Sequence, residues 1–314
     1  MNPLARTILA TIAYYDAMDY PLTLLEVWRY LSLEDVNIQP QYRKPQTLGQ
    51  IDAMLSTLVR DGRLACVDGF YVLPGREELV PERRRRALIS AVKLRAMRRG
   101  VRLLRYVPFV RQVWVTGRLA MKHAEKSSDW DVLIVLAKGH IWTGRFLVTL
   151  VTQLFGLRRT DAHHADHLCL NYFITTGSLS ISLDDRYSAH EYMMARPLFA
   201  SINPQKFLAA NTWIKRFRPH FDTLVLRSPY AVSDTALTHR VRRAGEWLMR
   251  TLHTEGILKK WQRTKIMSNP KTFQPGSMII ANDNELVFLP QPHSPRVLAA
   301  YHERCRHQGL RTCA

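Results

Sequence analysis

Two aspartates at the start of an apolar segment are the residues best placed by type and spacing to do chemistry. Asp129 and Asp131 flank Trp130 and are followed directly by Val132. Successive side chains of a strand point to opposite faces, so the two carboxylates should project together, away from Trp130. Paired carboxylates repel each other unless a cation lies between them, and their oxygens suit Mg²⁺, which also binds substrate phosphates. The pair therefore predicts a divalent-cation site at the beginning of a strand.

A glycine turn lies a short distance before these aspartates. Gly117 follows an apolar strand, 113–115, and precedes a short predicted helix, 118–126. A residue without a Cβ lets backbone N–H groups approach a phosphate at the positive end of a helix. The turn Thr116-Gly117 is therefore predicted to hold phosphate groups beside the aspartates.

The order of these features resembles the DNA polymerase β-like nucleotidyltransferase superfamily. Gly117 and Arg118, a spacer of ten residues, and then Asp-Trp-Asp-Val-Leu at 129–133 resemble its glycine-serine turn and its Asp-x-Asp strand. The resemblance implies that the turn holds a nucleoside triphosphate and that the aspartates bind two Mg²⁺ ions, or Mn²⁺. It implies transfer of a nucleoside monophosphate to a hydroxyl acceptor. The implied catalytic residues are Asp129 and Asp131, and the implied nucleotide-binding residues are Thr116, Gly117, Arg118 and Ser128.

Two positions depart from the pattern of that superfamily. Arg118 stands where a serine is usual, and the later strand 168–174 carries Asn171 where a third carboxylate is implied. Asn171 is accordingly the predicted third metal ligand, with Asp161 and Asp166 as alternative sources of the missing acid. The pair His190-Glu191 could supply a general base if it faces the end of the sheet.

A second hypothesis is a nucleotide site that has lost catalysis. The amide of Asn171 is neutral and a poorer Mg²⁺ ligand than a carboxylate. Under this hypothesis the chain is a catalytically degenerate, nucleic-acid-binding or regulatory factor of the same fold.

The charge of the chain points to a polyanionic partner under either hypothesis. The sequence contains 45 Lys and Arg against 26 Asp and Glu, a formal net charge of +19. Such an excess favours RNA or DNA as a partner. Two predicted helices, 77–104 and 236–261, carry many of the cations, and the residues predicted to contact nucleic acid are Arg83, Arg84, Arg85, Arg86, Arg242 and Arg243.

The remaining composition indicates an ordinary globular chain. The four cysteines are scattered, with no Cys-x-x-Cys spacing, which favours a reducing, cytoplasmic setting over a disulfide scaffold or zinc ribbon. The longest apolar stretch, 141–157, is interrupted by Arg145, so no membrane span is expected. The pattern leaves the oligomeric state open.

The elements predict an α+β architecture in four parts. Residues 1–75 read as three helices followed by a β-hairpin at Asp68-Gly69, the order of a winged helix. Residues 76–107 form a basic connecting helix. Residues 108–200 form a nucleotidyltransferase-like mixed sheet with flanking helices, and residues 201–314 form a mostly helical region. The chain also resembles bacterial proteins of uncharacterised function that join a winged helix to this nucleotidyltransferase domain.

Overall fold

The computed structural model describes residues 1–32, 46–160, 162–223 and 228–310. The predicted α+β class is confirmed, with a mixed sheet and flanking helices. The helices are α1 Pro3–Asp16, α2 Leu24–Arg29, α3 Leu48–Arg60, α4 Leu79–Leu104, α5 Gly117–Ala120, α6 Ile141–Leu154, α7 Arg186–Met194, α8 Gln205–Ala210, α9 Ile214–Phe217, α10 Ala236–Thr251, α11 Thr254–Met267 and α12 Ser294–His307. The strands are β1 Leu22–Thr23, β2 Ala65–Val67, β3 Phe70–Val72, β4 Val110–Val115, β5 Trp130–Leu136, β6 Leu168–Thr175, β7 Arg196–Ala200, β8 Met278–Ala281 and β9 Glu285–Leu289.

The N-terminal part consists of α1, α2 and α3 followed by the hairpin β2–β3, in the predicted order. Thr23 and Thr47 begin α2 and α3, and each forms a capping box that satisfies N–H groups of the first turn. Asp68 and Gly69 both have positive φ, at 51° and 79°, as the two-residue hairpin turn requires. The short strand β1 pairs antiparallel with β3.

The basic helix α4 presents one face to the rest of the protein. Helical spacing in the sequence predicts an apolar stripe of Leu88, Val92, Leu94, Met97 and Val101, and of these Leu94, Met97 and Val101 are buried. Leu88 and Val92 belonged to that predicted stripe, but they are 72% and 66% exposed. With 3.6 residues per turn, positions 88 and 92 fall on the side of the helix opposite to the buried positions 94, 97 and 101.

The central sheet has the strand order β7-β4-β5-β6-β9-β8. Strands β5 and β6 are parallel, and the other neighbouring pairs are antiparallel, so the sheet is mixed as predicted. Alternate residues of β5 enter two different hydrophobic clusters. Leu133 and Val135 pack on the side of α1, α7 and α12, whereas Val132 and Ile134 pack on the side of α4 and α6.

The C-terminal region, residues 201–314, contacts both the central sheet and the N-terminal helices. Its hairpin β8–β9 extends the central sheet through pairing of β9 with β6. Its last helix, α12, packs on α1, where Arg304 donates to the buried carboxylate of Asp16 at 2.8 Å. Residues 201–314 are therefore joined to the sheet and to the N-terminal helices.

The single long helix predicted for 236–261 is two helices. His253 adopts a left-handed conformation, with φ of 48°, and separates α10 from α11. Helix α10 buries Arg242 and Glu246 and leaves Leu237, Val241 and other apolar side chains exposed. Within the described residues, no helix combines the length and apolar character that crossing a bilayer requires.

Candidate active site

The two aspartates lie together at the beginning of β5. Single ligand atoms of Asp129, Asp131 and Cys169 all lie within 4.8 Å of one another. Trp130 is 4% exposed and packs into the cluster on the other face of the sheet. The alternation of a strand thus places both carboxylates on one face, as the sequence predicts. The thiol of Cys169, on the parallel strand β6, was not foreseen as a neighbour, although Cys169 pairs in register with Asp131.

Gly117 is in close contact with the side chain of Asp131. A Cβ at Gly117 would stand 2.6 Å from Oδ2 of Asp131, and the backbone there has a φ of +59°. The N–H of Thr116 donates to the carbonyl of Asp131 at 3.0 Å, which fixes the turn on the strand. Both the close approach and the positive φ call for glycine at this position.

Burial raises the pKa of Asp131 to about 6, and the nearby charge of Asp129 adds to the rise. Hydrogen bonds from Cys169 and Asn171 and the positive charge of Arg159 act in the opposite direction. A carboxylate held beside a second carboxylate is stabilised by any cation that enters the site. The electrostatics of the pair therefore favour a bound cation.

Arg159 supplies positive charge at this site. Its Nη1 lies 2.5 Å from Oδ2 of Asp129 and 3.5 Å from Sγ of Cys169. This guanidinium was not among the predicted site residues. The sequence does not mark Arg159 for this site, because its position depends on the bridge between Arg158 and Leu168, which aligns the segment with β6 in the fold.

Asn171 contacts the site through its amide nitrogen. Its Nδ2 donates to Oδ1 of Asp131 at 2.9 Å. An amide nitrogen is not a ligand for a hard cation, because its lone pair is delocalised. In this arrangement Asn171 is a hydrogen-bond donor that orients Asp131, and its role as a metal ligand stays a prediction.

Glu191 is the third carboxyl group near the glycine turn. The hydroxyl of Thr116 and the backbone N–H of Gly117 both hydrogen-bond to it. Burial, followed by repulsion from Asp131, raises the pKa of Glu191 to about 8 despite these bonds. The side chain comes from α7, which packs beside α5.

His190, the other half of the predicted His190-Glu191 pair, points away from the site. Its Nδ1 lies 2.9 Å from the hydroxyl of Tyr15, and its Nε2 lies 3.2 Å from Sδ of Met121. Burial lowers the pKa of His190 to about 3. Consecutive residues of a helix face different directions, so only Glu191 of the pair reaches the turn.

Arg118 and Ser128, both predicted to bind nucleotide, are engaged in the loop between α5 and β5. Arg118 extends into solvent and pairs with Glu125 at 2.8 Å. The hydroxyl of Ser128 accepts the N–H of Glu125 at 2.9 Å, which closes a turn just before Asp129. In this arrangement both residues shape the loop.

Lys93 anchors the same loop from α4. Its buried Nζ donates to the carbonyls of Lys126 and Ser128 at 2.8 and 2.9 Å, and to Asp166 at 2.8 Å. Asp166 is therefore tied to Lys93 and does not supply the missing acid of the site. Asp161, the other alternative, lies outside the described residues.

His293, just before α12, is affected by charges of both signs at this end of the sheet. Burial lowers the pKa of His293, and the positive charges of Arg118 and Arg296 lower it further, whereas Asp129 raises it. His293 therefore lies within electrostatic range of Asp129 and of the arginines Arg118 and Arg296, which we call the basic rim.

The arginines predicted to contact nucleic acid divide into buried and exposed groups. Arg83 is 8% exposed and donates to Glu26 at 3.0 Å, and Arg242 is 2% exposed and pairs with Asp234 at 2.7 Å. Because their guanidinium groups are enclosed in internal ion pairs, these two are corrected to structural roles. Arg84, Arg85 and Arg243 are exposed, and Arg86 is held between Glu82 and Glu125.

Comparisons with protein families, with curated proteins and with solved structures each found no match to this chain.

Proposed function

We propose that the protein is a Mg²⁺-dependent nucleotidyltransferase that moves a nucleoside monophosphate from a nucleoside triphosphate to a hydroxyl acceptor, with release of pyrophosphate. The observation that carries the proposal is the closeness of the carboxylates of Asp129, just before β5, and Asp131, within it, with Asp131 in contact with Gly117. A triphosphate needs both a divalent cation and backbone N–H groups near its oxygens, and the aspartates and the Gly117 turn would supply these side by side.

The donor set fits Mg²⁺ or Mn²⁺ better than a soft metal. Burial, together with the charges of Asp131 and Asp129, raises the pKa of Cys169 far above its usual value. The thiol is therefore neutral and a weak ligand, which leaves carboxylate oxygens as the donors. Asp129 and Asp131 would hold the ion, which would stabilise negative charge developing on the phosphate oxygens.

The surrounding residues have separate roles in this proposal. Thr116 and Gly117 present the bend to the triphosphate, and Glu191 fixes the bend through its two hydrogen bonds. Asn171 orients Asp131 through its amide. The basic rim that includes Arg118 and Arg296 attracts the polyphosphate by its charge.

Nucleic acid is the proposed acceptor. The order of α1, α2, α3 and the hairpin β2–β3 is that of a winged helix, a module that docks on nucleic acid or protein. Exposed arginines of α4, including Arg84, Arg85, Arg95 and Arg99, supply charges for a phosphate backbone. The net charge of +19 supports the same partner.

A second candidate function is a catalytically degenerate nucleic-acid-binding or regulatory factor. The ion pair of 2.5 Å between Arg159 and Asp129 favours it, because a guanidinium there competes with a metal ion for the same oxygen. The N–H of Gly117 also already donates to Glu191, whereas a phosphate cradle presents free N–H groups.

One experiment distinguishes nucleotidyl transfer from the degenerate factor. The purified protein is incubated with each labelled nucleoside triphosphate, Mg²⁺ or Mn²⁺, and total RNA. Nucleotidyl transfer predicts incorporation of label that Asp129→Asn and Asp131→Asn abolish. The matched control is Glu303→Gln, an exposed carboxylate of α12 outside the acidic pair and the N-terminal module, which should leave incorporation unchanged. The degenerate factor predicts no incorporation by the unaltered protein, together with salt-dependent RNA binding that the double charge reversal of Arg84 and Arg85 weakens.

A further inference from the structure

A second concave site lies between α6, α11 and the hairpin β8–β9. It encloses a volume of about 420 Å³. Four cations line it, namely Arg145, Arg158, Lys265 and Lys271, together with three aromatic rings, namely Phe146, Trp261 and Phe288. Among the described residues that line it there is no Asp or Glu. The cavity is thus positively charged and bordered by flat apolar surfaces.

This cavity is separate from the acidic pair. Arg145 belongs to α6, which packs on the face of the sheet that receives Val132 and Ile134. Asp131 belongs to the opposite face, with Leu133 and Val135. Arg158 and Arg159 are adjacent in the sequence but belong to different sites. Arg158 lines the cavity, whereas Arg159 contacts Asp129.

Arg145 is fixed in the wall of the cavity without an acidic partner in the described part of the chain. Its Nη1 donates to Oε1 of Gln262 at 2.5 Å, and its guanidinium carbon lies 4.4 Å from the centre of the Phe288 ring. Burial lowers the pKa of Arg145 to about 10, and the positive charge of Arg158 contributes to the change. Placing an anion between these arginines would relieve their repulsion.

The charge and the rings together define the class of ligand. A phosphate monoester carries about two negative charges at neutral pH, which matches two arginines and two lysines better than a single carboxylate does. Trp261 is 51% exposed and lies edge to face with Phe146, with 6.0 Å between the ring centres. Its open surface can stack on a planar ring. The volume lies within the range of small-molecule sites.

We propose that this cavity binds a small phosphate monoester that carries a planar ring, such as a nucleoside monophosphate. The phosphate lies at Arg145 and Arg158, and the ring packs on Trp261. This inference does not depend on nucleotidyl transfer at the acidic pair, because it uses residues of the other face of the sheet.

Calorimetric titration of the full chain with AMP, GMP, CMP and UMP, in EDTA, tests the proposal. We expect at least one monophosphate to bind about tenfold or more tightly than both inorganic phosphate and its own nucleoside. Arg145→Gln should weaken that binding by about tenfold or more. Lys260→Gln removes the same charge from an exposed position of α11 that does not line the cavity, and it should change the affinity less than about twofold.

A second variant covers the case in which Arg145→Gln fails to fold. Trp261→Ala changes an exposed side chain, and it should abolish the preference for the monophosphate over inorganic phosphate. The proposal is overturned by the absence of binding at millimolar ligand or by equal affinity for phosphate and monophosphate. It is also overturned if Asp131→Asn abolishes binding while Trp261→Ala leaves it intact, since the ligand would then occupy the acidic site.

Discussion

Gly117 and Asp131 are in contact across the turn, so that a Cβ on the glycine would stand 2.6 Å from Oδ2 of the aspartate. Gly117→Ala should therefore displace the carboxylate and weaken Mn²⁺ binding by about tenfold or more, because a cation site depends on the placement of its ligands. Titration of Mn²⁺ by electron paramagnetic resonance measures the effect.

Gly62→Ala is the matched control for this substitution. Gly62 has a similar positive φ of +66°, but nothing lies within 4 Å of the position of its Cβ. Both variants should lose about 1–2 kcal/mol of stability from backbone strain. Only Gly117→Ala should lose Mn²⁺ affinity, and equal affinities in the two variants would contradict the contact.

The ion pair between Arg159 and Asp129 should compete with a divalent cation. Replacement of Arg159 by Gln removes the competitor, so Mn²⁺ affinity at about pH 8 should rise severalfold, by an amount typical of one partly exposed ion pair. Arg158→Gln is the control, because its side chain lines the cavity on the other face. An unchanged or lower affinity in Arg159→Gln would show that the arginine does not occupy the cation position.

Most of the elements could be predicted because local patterns determine them. The capping residues Thr23 and Thr47, the Asp68-Gly69 turn and the apolar strand before Gly117 each act over a few residues. The break at His253 was missed because a histidine in the left-handed region has no distinctive sequence signal. The exposure of Leu88 and Val92 was missed because helical periodicity does not state which face meets the sheet.

The site could be predicted only where its residues are close in sequence. Asp129 immediately precedes β5 and Asp131 is the second residue of that strand, so the alternation of an extended chain was enough to bring them together. Arg159 and Glu191 come from a segment before β6 and from α7, and tertiary packing alone brings them to the turn. The roles of Arg83 and Arg242 were wrong for a related reason, since a charged residue is read as exposed until its internal partner is known.

Lys93 should be needed for the loop that carries Asp129. Lys93→Met would leave the carbonyl of Lys126 without its donor and that of Ser128 with only the N–H of Asp166, at a cost of about 1–3 kcal/mol in the free energy of unfolding. Arg95→Gln, an exposed substitution on the same helix, should change stability by less than about 0.5 kcal/mol. Urea unfolding measures both, and equal stabilities would contradict the anchoring role.

Glu191 should make stability fall as pH rises. Its pKa is raised from 4.5 to about 8, so the unfolded chain loses this proton at lower pH than the folded chain does. The folded state therefore becomes less favourable between these two values and changes little above them. Glu191→Gln removes the titration, so the variant should gain stability over the unaltered protein as pH increases. The gain should approach about 2 kcal/mol, less than the full shift implies, because the side chain is partly exposed.

Asp131→Asn separates the effect of Glu191 from that of Asp131, the other carboxyl group of the site whose pKa is raised. The pKa of Asp131 is raised from 3.8 to about 6, so the stability gained by its replacement should be complete near neutral pH. The gain from Glu191→Gln should continue to grow through about pH 8. Urea unfolding of the three proteins between about pH 5 and about pH 9 separates the two windows. A difference between Glu191→Gln and the unaltered protein that stays constant across this range would mean that Glu191 is charged in the fold, with its bonds to Thr116 and Gly117 outweighing burial.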